Sequence, residues 1–131
     1  MNSKCEYVMV IDDNNIDLYI TSRIIKSMSF SKHILQYSSA EEALAYLRNN
    51  AGNKALLPKV IIVDIYMPIM SGFEFMAQYN QLPRTLKSYC KVFIVSSTID
   101  KEDITRANED KNVVAFQEKP INAHFLNSIC T

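Results

Sequence analysis

The strongest constraint on this chain is a set of short apolar runs that do not alternate. Tyr7-Val8-Met9-Val10-Ile11, Val60-Ile61-Ile62-Val63, Val92-Phe93-Ile94-Val95 and Val113-Val114-Ala115-Phe116 are continuous and mostly β-branched or aromatic, and His33-Ile34-Leu35-Gln36-Tyr37 is a weaker fifth. A strand with one wet face alternates polar and apolar residues. A strand buried on both faces does not, and such strands belong to parallel sheets covered by helices. The segments between the runs have helical spacing. Ile16, Ile20, Ile24 and Met28 recur every four residues and predict one apolar stripe. Ser39-Ala40-Glu41-Glu42 reads as a capping-box start ahead of Ala43, Leu44 and Leu47. Phe73, Met76 and Ala77 predict a helix after Gly72, and Phe125, Leu126 and Ile129 predict one over Asn122 to Cys130. Asp100 to Asn108 is helix-compatible with only Ile104 and Ala107 as apolar residues, and 51–58 and 82–90, with Pro58 and Pro83, read as loops.

Strand and helix therefore alternate five times, which predicts an α/β fold with helices on both faces of a five-stranded parallel sheet. Right-handed crossovers leave few topologies, and the common one is the flavodoxin-like, doubly wound order 2-1-3-4-5. A length of 131 residues with 48% hydrophobic content suits a single domain over 1–131. Fourteen basic and fourteen acidic residues cancel to a net charge of +0, which removes the electrostatic case for nucleic acid or a membrane surface. No apolar run is long enough to span a bilayer. Cys5, Cys90 and Cys130 are odd in number and widely spaced, as expected of reduced thiols in a cytoplasmic protein rather than of a zinc site. The only glycines, Gly52 and Gly72, cannot build a Walker-type phosphate loop or a dinucleotide fingerprint, and His33 and His124 cannot build an HExxH motif.

Ligands in such folds bind beyond the carboxyl ends of the strands, where the order reverses. The first strand ends in Asp12-Asp13, the third in Asp64, the fourth in Ser96-Ser97, and the fifth runs into Glu118-Lys119-Pro120. Three clustered carboxylates repel one another and call for a cation. Oxygen ligands without His or Cys favour Mg²⁺, which keeps waters and commonly also holds a phosphate oxygen. A lysine beside a hydroxyl suits an anionic oxygen. The edge thus has the chemistry of a metal-bound phosphoryl site.

On Val10-Ile11-Asp12-Asp13-Asn14, Asp64-Ile65-Tyr66-Met67-Pro68-Ile69-Met70-Ser71-Gly72, Ser96 and Lys119-Pro120, the chain resembles the receiver domain of two-component response regulators, and in particular single-domain receivers of the chemotaxis type. The likeness runs from Tyr7 to about Ile129. It implies that Asp64 takes a phosphoryl group from a phosphohistidine of a histidine kinase or phosphotransfer protein. It implies that Asp13 and Asp64 bind Mg²⁺ directly, that Asp12 helps through water, and that the Tyr66 backbone carbonyl completes the protein ligands. Lys119 and Ser96 would contact the phosphoryl group. Phe116 holds the family's switch-aromatic position, and Tyr66 and Thr98 hold positions that tune dephosphorylation. Output would pass to a downstream protein through the fourth helix, fifth strand and fifth helix, in a cytoplasmic and bacterial setting. The chain would be a regulatory phosphoacceptor rather than an enzyme with its own substrate.

Plainer readings stand beside these. Asp12 suits a helix cap, Asp64 a turn, Ser96 a plain strand end, Lys119-Pro120 a strand terminator and Phe116 the core. The histidines are expected at the surface with no role. Two rival functions remain open: a non-phosphorylated interaction module on the same fold, and a Mg²⁺-dependent phosphohydrolase with an Asp nucleophile. The usual second carboxylate of that hydrolase, two residues after the nucleophile, is here Tyr66 or Asn14. Because Tyr66 is bulky where water must approach, the sequence predicts that it screens the acyl phosphate and prolongs its life.

Overall fold

Each of the five apolar runs is a strand. In the computed structural model, which describes residues 5–129, β1 (Cys5–Ile11), β2 (Ser31–Tyr37), β3 (Val60–Asp64), β4 (Lys91–Ser96) and β5 (Val113–Glu118) form one parallel sheet in the order β2-β1-β3-β4-β5. Cys130, grouped above with the thiols and the last helix, lies outside the described residues.

In β1, β3 and β4 the unbroken apolarity follows from period-two geometry with both faces covered, whereas the edge strands β2 and β5 are only partly buried and Val114 is 56% exposed. Met9, Ile11, Ile61, Val63, Val92 and Ile94 enter one core cluster. Their neighbours Val8, Val10, Val60, Ile62, Phe93 and Val95 enter the other. The first cluster is closed by α2 (Ala40–Asn49), α3 (Gly72–Tyr79), α4 (Arg84–Tyr89) and α5 (Lys101–Glu109), the second by α1 (Asn15–Ser27) and α6 (Ala123–Ser128). Burying each such aliphatic side chain contributes about 1.5–3 kcal/mol, so the sheet's interior dominates stability.

Four local expectations are corrected or refined. Only half of the apolar stripe of α1 faces the core: Ile24 and Met28 pack against the second cluster, whereas Ile16 is 70% and Ile20 40% exposed, and Thr21, Ser22 and Ile25 are buried. A four-residue step overshoots the helical turn by about 40°, so four such residues wind around the helix instead of marking one side. The loop expected at 82–90 contains α4, which starts after Pro83 and buries only Leu86, too short to show a period. Within 51–58 a 3₁₀ turn forms at Lys54–Leu56. Ser39 does cap α2, accepting from the Glu42 N–H at 3.4 Å, but the reciprocal capping box is at Ser71 and Glu74, ahead of α3.

Register sets the level of the strand ends. Ile11 pairs with Val63, Asp64 with Val95 and Ser96 with Glu118. The residues that follow β1, end β3 and β4 and follow β5 therefore meet at one edge, above the β1/β3 switch point.

Candidate functional site

Asn14, not Asp12, caps α1. Its side chain accepts from the Ile16 and Asp17 N–H groups at 2.9 and 3.0 Å. Asp12 accepts from the Asn14 N–H through Oδ1 at 3.0 Å and turns Oδ2 inward to Lys119. Asp12, Asp13 and Asp64 each offer a carboxylate oxygen within 4.8 Å of the others, with Asp13 the most open to solvent. Lys119 leaves β5 beside them, its backbone N–H donating to the Ser96 carbonyl at 2.9 Å, and its bond to Pro120 is cis. Its ammonium lies 2.7 Å from Asp12, 2.9 Å from Asp17 and 3.4 Å from Asp64. Asp17 is the site residue the sequence reading missed. The available signal was an acid in the first turn of the helix that follows Asp12-Asp13.

Electrostatics follow from this crowding. Burial pushes the Asp64 carboxyl up to about 6, and the charges of Asp12 and Asp13 push the same way, while Lys119 opposes them. Burial alone would lower the Lys119 ammonium. Its hydrogen bonds to Asp12 and Asp17 and the charge of Asp64 outweigh burial and raise it above the usual lysine value, so it is a fixed cation. One lysine among four carboxylates leaves an excess of negative charge, in oxygen donors suited to a hard divalent cation. The donor set therefore fits the Mg²⁺ expected from the sequence.

The β3–α3 loop shapes the surroundings of Asp64. Gly72 donates its N–H to the Ile65 carbonyl at 2.8 Å, and a Cβ on it would stand 2.5 Å from the Asp64 carbonyl oxygen and 2.9 Å from the Ile65 Cα. Only glycine fits so close to the end of β3. Met67 is buried, whereas Ile69 is 90% exposed with φ of 69°. A cleft of about 570 Å³ opens over Asp64, lined by Asp13, Asp17, Asp64, Tyr66, Ser97 and Lys119 among others. Tyr66 is half exposed, and its hydroxyl donates to Asp103 of α5, which raises the phenol to about 12.

Ser96 is fully buried, its hydroxyl accepting the Thr98 N–H at 3.1 Å, and Ser97 rather than Ser96 lines the cleft. Phe116 is partly buried against the first core cluster. His33 stacks on Tyr7 with ring centroids 4.8 Å apart, and His124 is exposed. Neither lines the cleft.

Comparison with known proteins agrees with this geometry. The family model of the response regulator receiver domain matches residues 8–130. The chain is 27% identical to a probable methanogenesis regulatory protein, FilR2, of Methanothrix harundinacea, covering 88% of this chain and 72% of that protein. It is 29% identical to the sensor histidine kinase CheAY of Helicobacter pylori, covering 98% of this chain but only 15% of the kinase. Among solved structures, a two component response regulator from Cytophaga hutchinsonii superposes with a TM-score of 0.87 at 27% identity, covering 94% of this chain and 92% of that one. Relatives also occur in Arabidopsis and in the yeast Meyerozyma, so a bacterial setting does not follow from family membership. The fold, the match over almost the whole chain and the acidic edge lead to one conclusion: this chain belongs to the response regulator receiver family.

Proposed function

We propose that Asp64 is a phosphoacceptor that takes one phosphoryl group from a phosphohistidine of a histidine kinase or phosphotransfer protein. A carboxylate oxygen of Asp64 forms the new P–O bond as the imidazole N–P bond breaks, and the proton that imidazole then needs comes from solvent. The observation that carries this reading is the gathering of Asp12, Asp13 and Asp64 around one fixed ammonium at the switch point of the sheet. Phosphoryl transfer needs chiefly positioning and charge neutralisation, and the site offers both.

In this reading Asp13 and Asp64 would hold Mg²⁺ directly, with Asp12 acting through water and the Tyr66 carbonyl as a further ligand. Bound there, Mg²⁺ would neutralise charge on the phosphoryl oxygens. Lys119 exchanges part of its contact with Asp64 for a phosphoryl oxygen. The Ser96 hydroxyl gives up the Thr98 N–H to donate to the phosphoryl group, and Phe116 moves into the space vacated. With the short helix α4 counted, the output face is α5, β5 and α6. The sparse apolar content of α5, where only Ala107 is buried, suits an element that shifts easily. Exposed Ile16, Tyr19 and Ile20 give a protein partner an apolar footing beside the cleft, which Ile16 also lines. Among the described residues no helix is long and apolar enough to cross a membrane. A cytoplasmic protein partner, rather than nucleic acid or a membrane, is the proposed setting.

Incubation with acetyl phosphate and Mg²⁺ followed by intact mass tests the reading. The expected result is one added phosphoryl group in the wild type and none in Asp64→Asn. No gain in folded wild-type protein favours the non-phosphorylated interaction module, and steady turnover of small phosphate esters favours the hydrolase.

A further inference from the structure

Tyr66 lines the cleft over Asp64, and Ile16 of α1 stands on the same lining. Tyr66 is 52% exposed, and core packing does not immobilise it. What fixes it is the hydrogen bond from its hydroxyl to the Asp103 carboxylate, 37 residues away in the first turn of α5. Among the described residues Asp103 makes no ion pair, so the phenol is its polar partner. The neighbouring side chains of α5 are engaged elsewhere. Asp100 accepts from the Glu102 N–H at 2.9 Å, and the Arg106 guanidinium lies 4.2 Å from the centroid of the Phe73 ring on α3. The second of these contacts seats α5 against α3, and the Tyr66–Asp103 hydrogen bond joins α5 to the loop that follows Asp64.

We propose that Asp103 is a positioning residue: it holds Tyr66 across the mouth of the cleft and so sets how long a phosphoryl group on Asp64 survives. The proposal rests on the acceptor reading above and extends it to a residue outside the site. Loss of the phosphoryl group is hydrolysis. A water oxygen forms a bond to phosphorus, the bond from phosphorus to the Asp64 oxygen breaks, and inorganic phosphate and the Asp64 carboxylate are released. Water reaching phosphorus from the open side passes the Tyr66 ring. A ring tethered to α5 stays in that path; a ring released into solvent leaves it part of the time. Because the tether ends on α5, cover over the acceptor and placement of α5 are linked, and a partner that holds α5 in this position will also slow hydrolysis.

The experiment follows phosphate release after donor removal in wild type, Asp103→Ala, Tyr66→Phe and the double variant, with Asp103→Glu as the conservative control. A single hydrogen bond to a charged group, partly exposed, predicts release about three- to tenfold faster in each single variant. The double variant is expected to match Tyr66→Phe alone, because both changes cut the same tether, and Asp103→Glu to restore most of the wild-type lifetime. Release at the wild-type rate in Asp103→Ala, or additive effects in the double variant, would overturn the proposal. Hydrogen exchange of the 65–70 amides in unphosphorylated protein provides a readout independent of phosphotransfer. Faster exchange in Asp103→Ala and Tyr66→Phe alike is expected, and unchanged exchange in both counts against the tether. If the wild type takes no phosphoryl group, the acceptor reading fails, and this exchange comparison still decides whether the tether exists.

Discussion

At the residue scale, two positions of the β3–α3 loop show opposite forms of constraint. Gly72 is required by space: its missing Cβ is the gap into which the backbone of Asp64 and Ile65 fits. Backbone atoms cannot swing aside, so Gly72→Ala is expected to lower stability by about 1–3 kcal/mol, read from the denaturation midpoint, and to displace Asp64. Ile69 is constrained by conformation. A β-branched residue at φ of 69°, exposed to 90%, gains no core burial to offset its backbone strain. Ile69→Asn, which tolerates that region, is expected to stabilise the protein by about 1 kcal/mol. A denaturation midpoint unchanged or lowered in Ile69→Asn would contradict this. The sequence marked Gly72 as part of a motif but gave no sign of the close approach that requires it. The same limit hid Asp17, whose pairing with Lys119 joins residues far apart in the chain.

At the scale of elements, the strands were legible and the faces of helices were not. A two-face-buried strand shows itself as an unbroken apolar run, as β1, β3 and β4 do; the edge strands β2 and β5, with Val114 56% exposed, were legible as short β-branched or aromatic runs, and the order followed from the common topology of five parallel strands. In α1 the four-residue spacing of Ile16, Ile20, Ile24 and Met28 does not mark one side: Ile24 and Met28 pack on the core, Ile16 and Ile20 wind away to solvent, and Thr21, Ser22 and Ile25 are buried. The two faces make separable predictions. Ile25→Ala removes a fully buried side chain and is expected to lose about 2–5 kcal/mol. Ile16→Ser is expected to stay within about 0.5 kcal/mol, as is usual at exposed sites. Equal losses in thermal or denaturant unfolding would show that Ile16 is buried after all. Helix α4 escaped notice because a six-residue helix with one buried side chain has no period to detect.

At the scale of the whole molecule, parallel register brings together groups that the neutral total charge conceals. Its consequence is a stability profile set partly by Asp64. Its carboxyl sits at about 6 in the fold against 3.8 for an unperturbed aspartate, so the folded state binds the proton more tightly than the unfolded chain. The stabilisation this provides is complete below about pH 4 and is lost as pH rises through about 6. Asp64→Asn, which cannot ionise, is expected to be more stable than wild type at pH 7 and to lose this part of the pH dependence. An unchanged unfolding profile between pH 4 and 7 in Asp64→Asn would contradict the assignment. Protons and a divalent cation compete for the same oxygens, so Mg²⁺ affinity measured by calorimetry should fall as pH drops through about 6.

The carboxyl edge of this sheet is proposed to be a phosphoacceptor with Asp64 as its nucleophile. Borohydride reduction of protein treated with acetyl phosphate and Mg²⁺ converts an aspartyl phosphate to homoserine, which peptide mass spectrometry locates. The account predicts homoserine at position 64 alone, and only when Mg²⁺ is present. Homoserine at position 12 or 13, or none at all in protein shown to be folded, would contradict it.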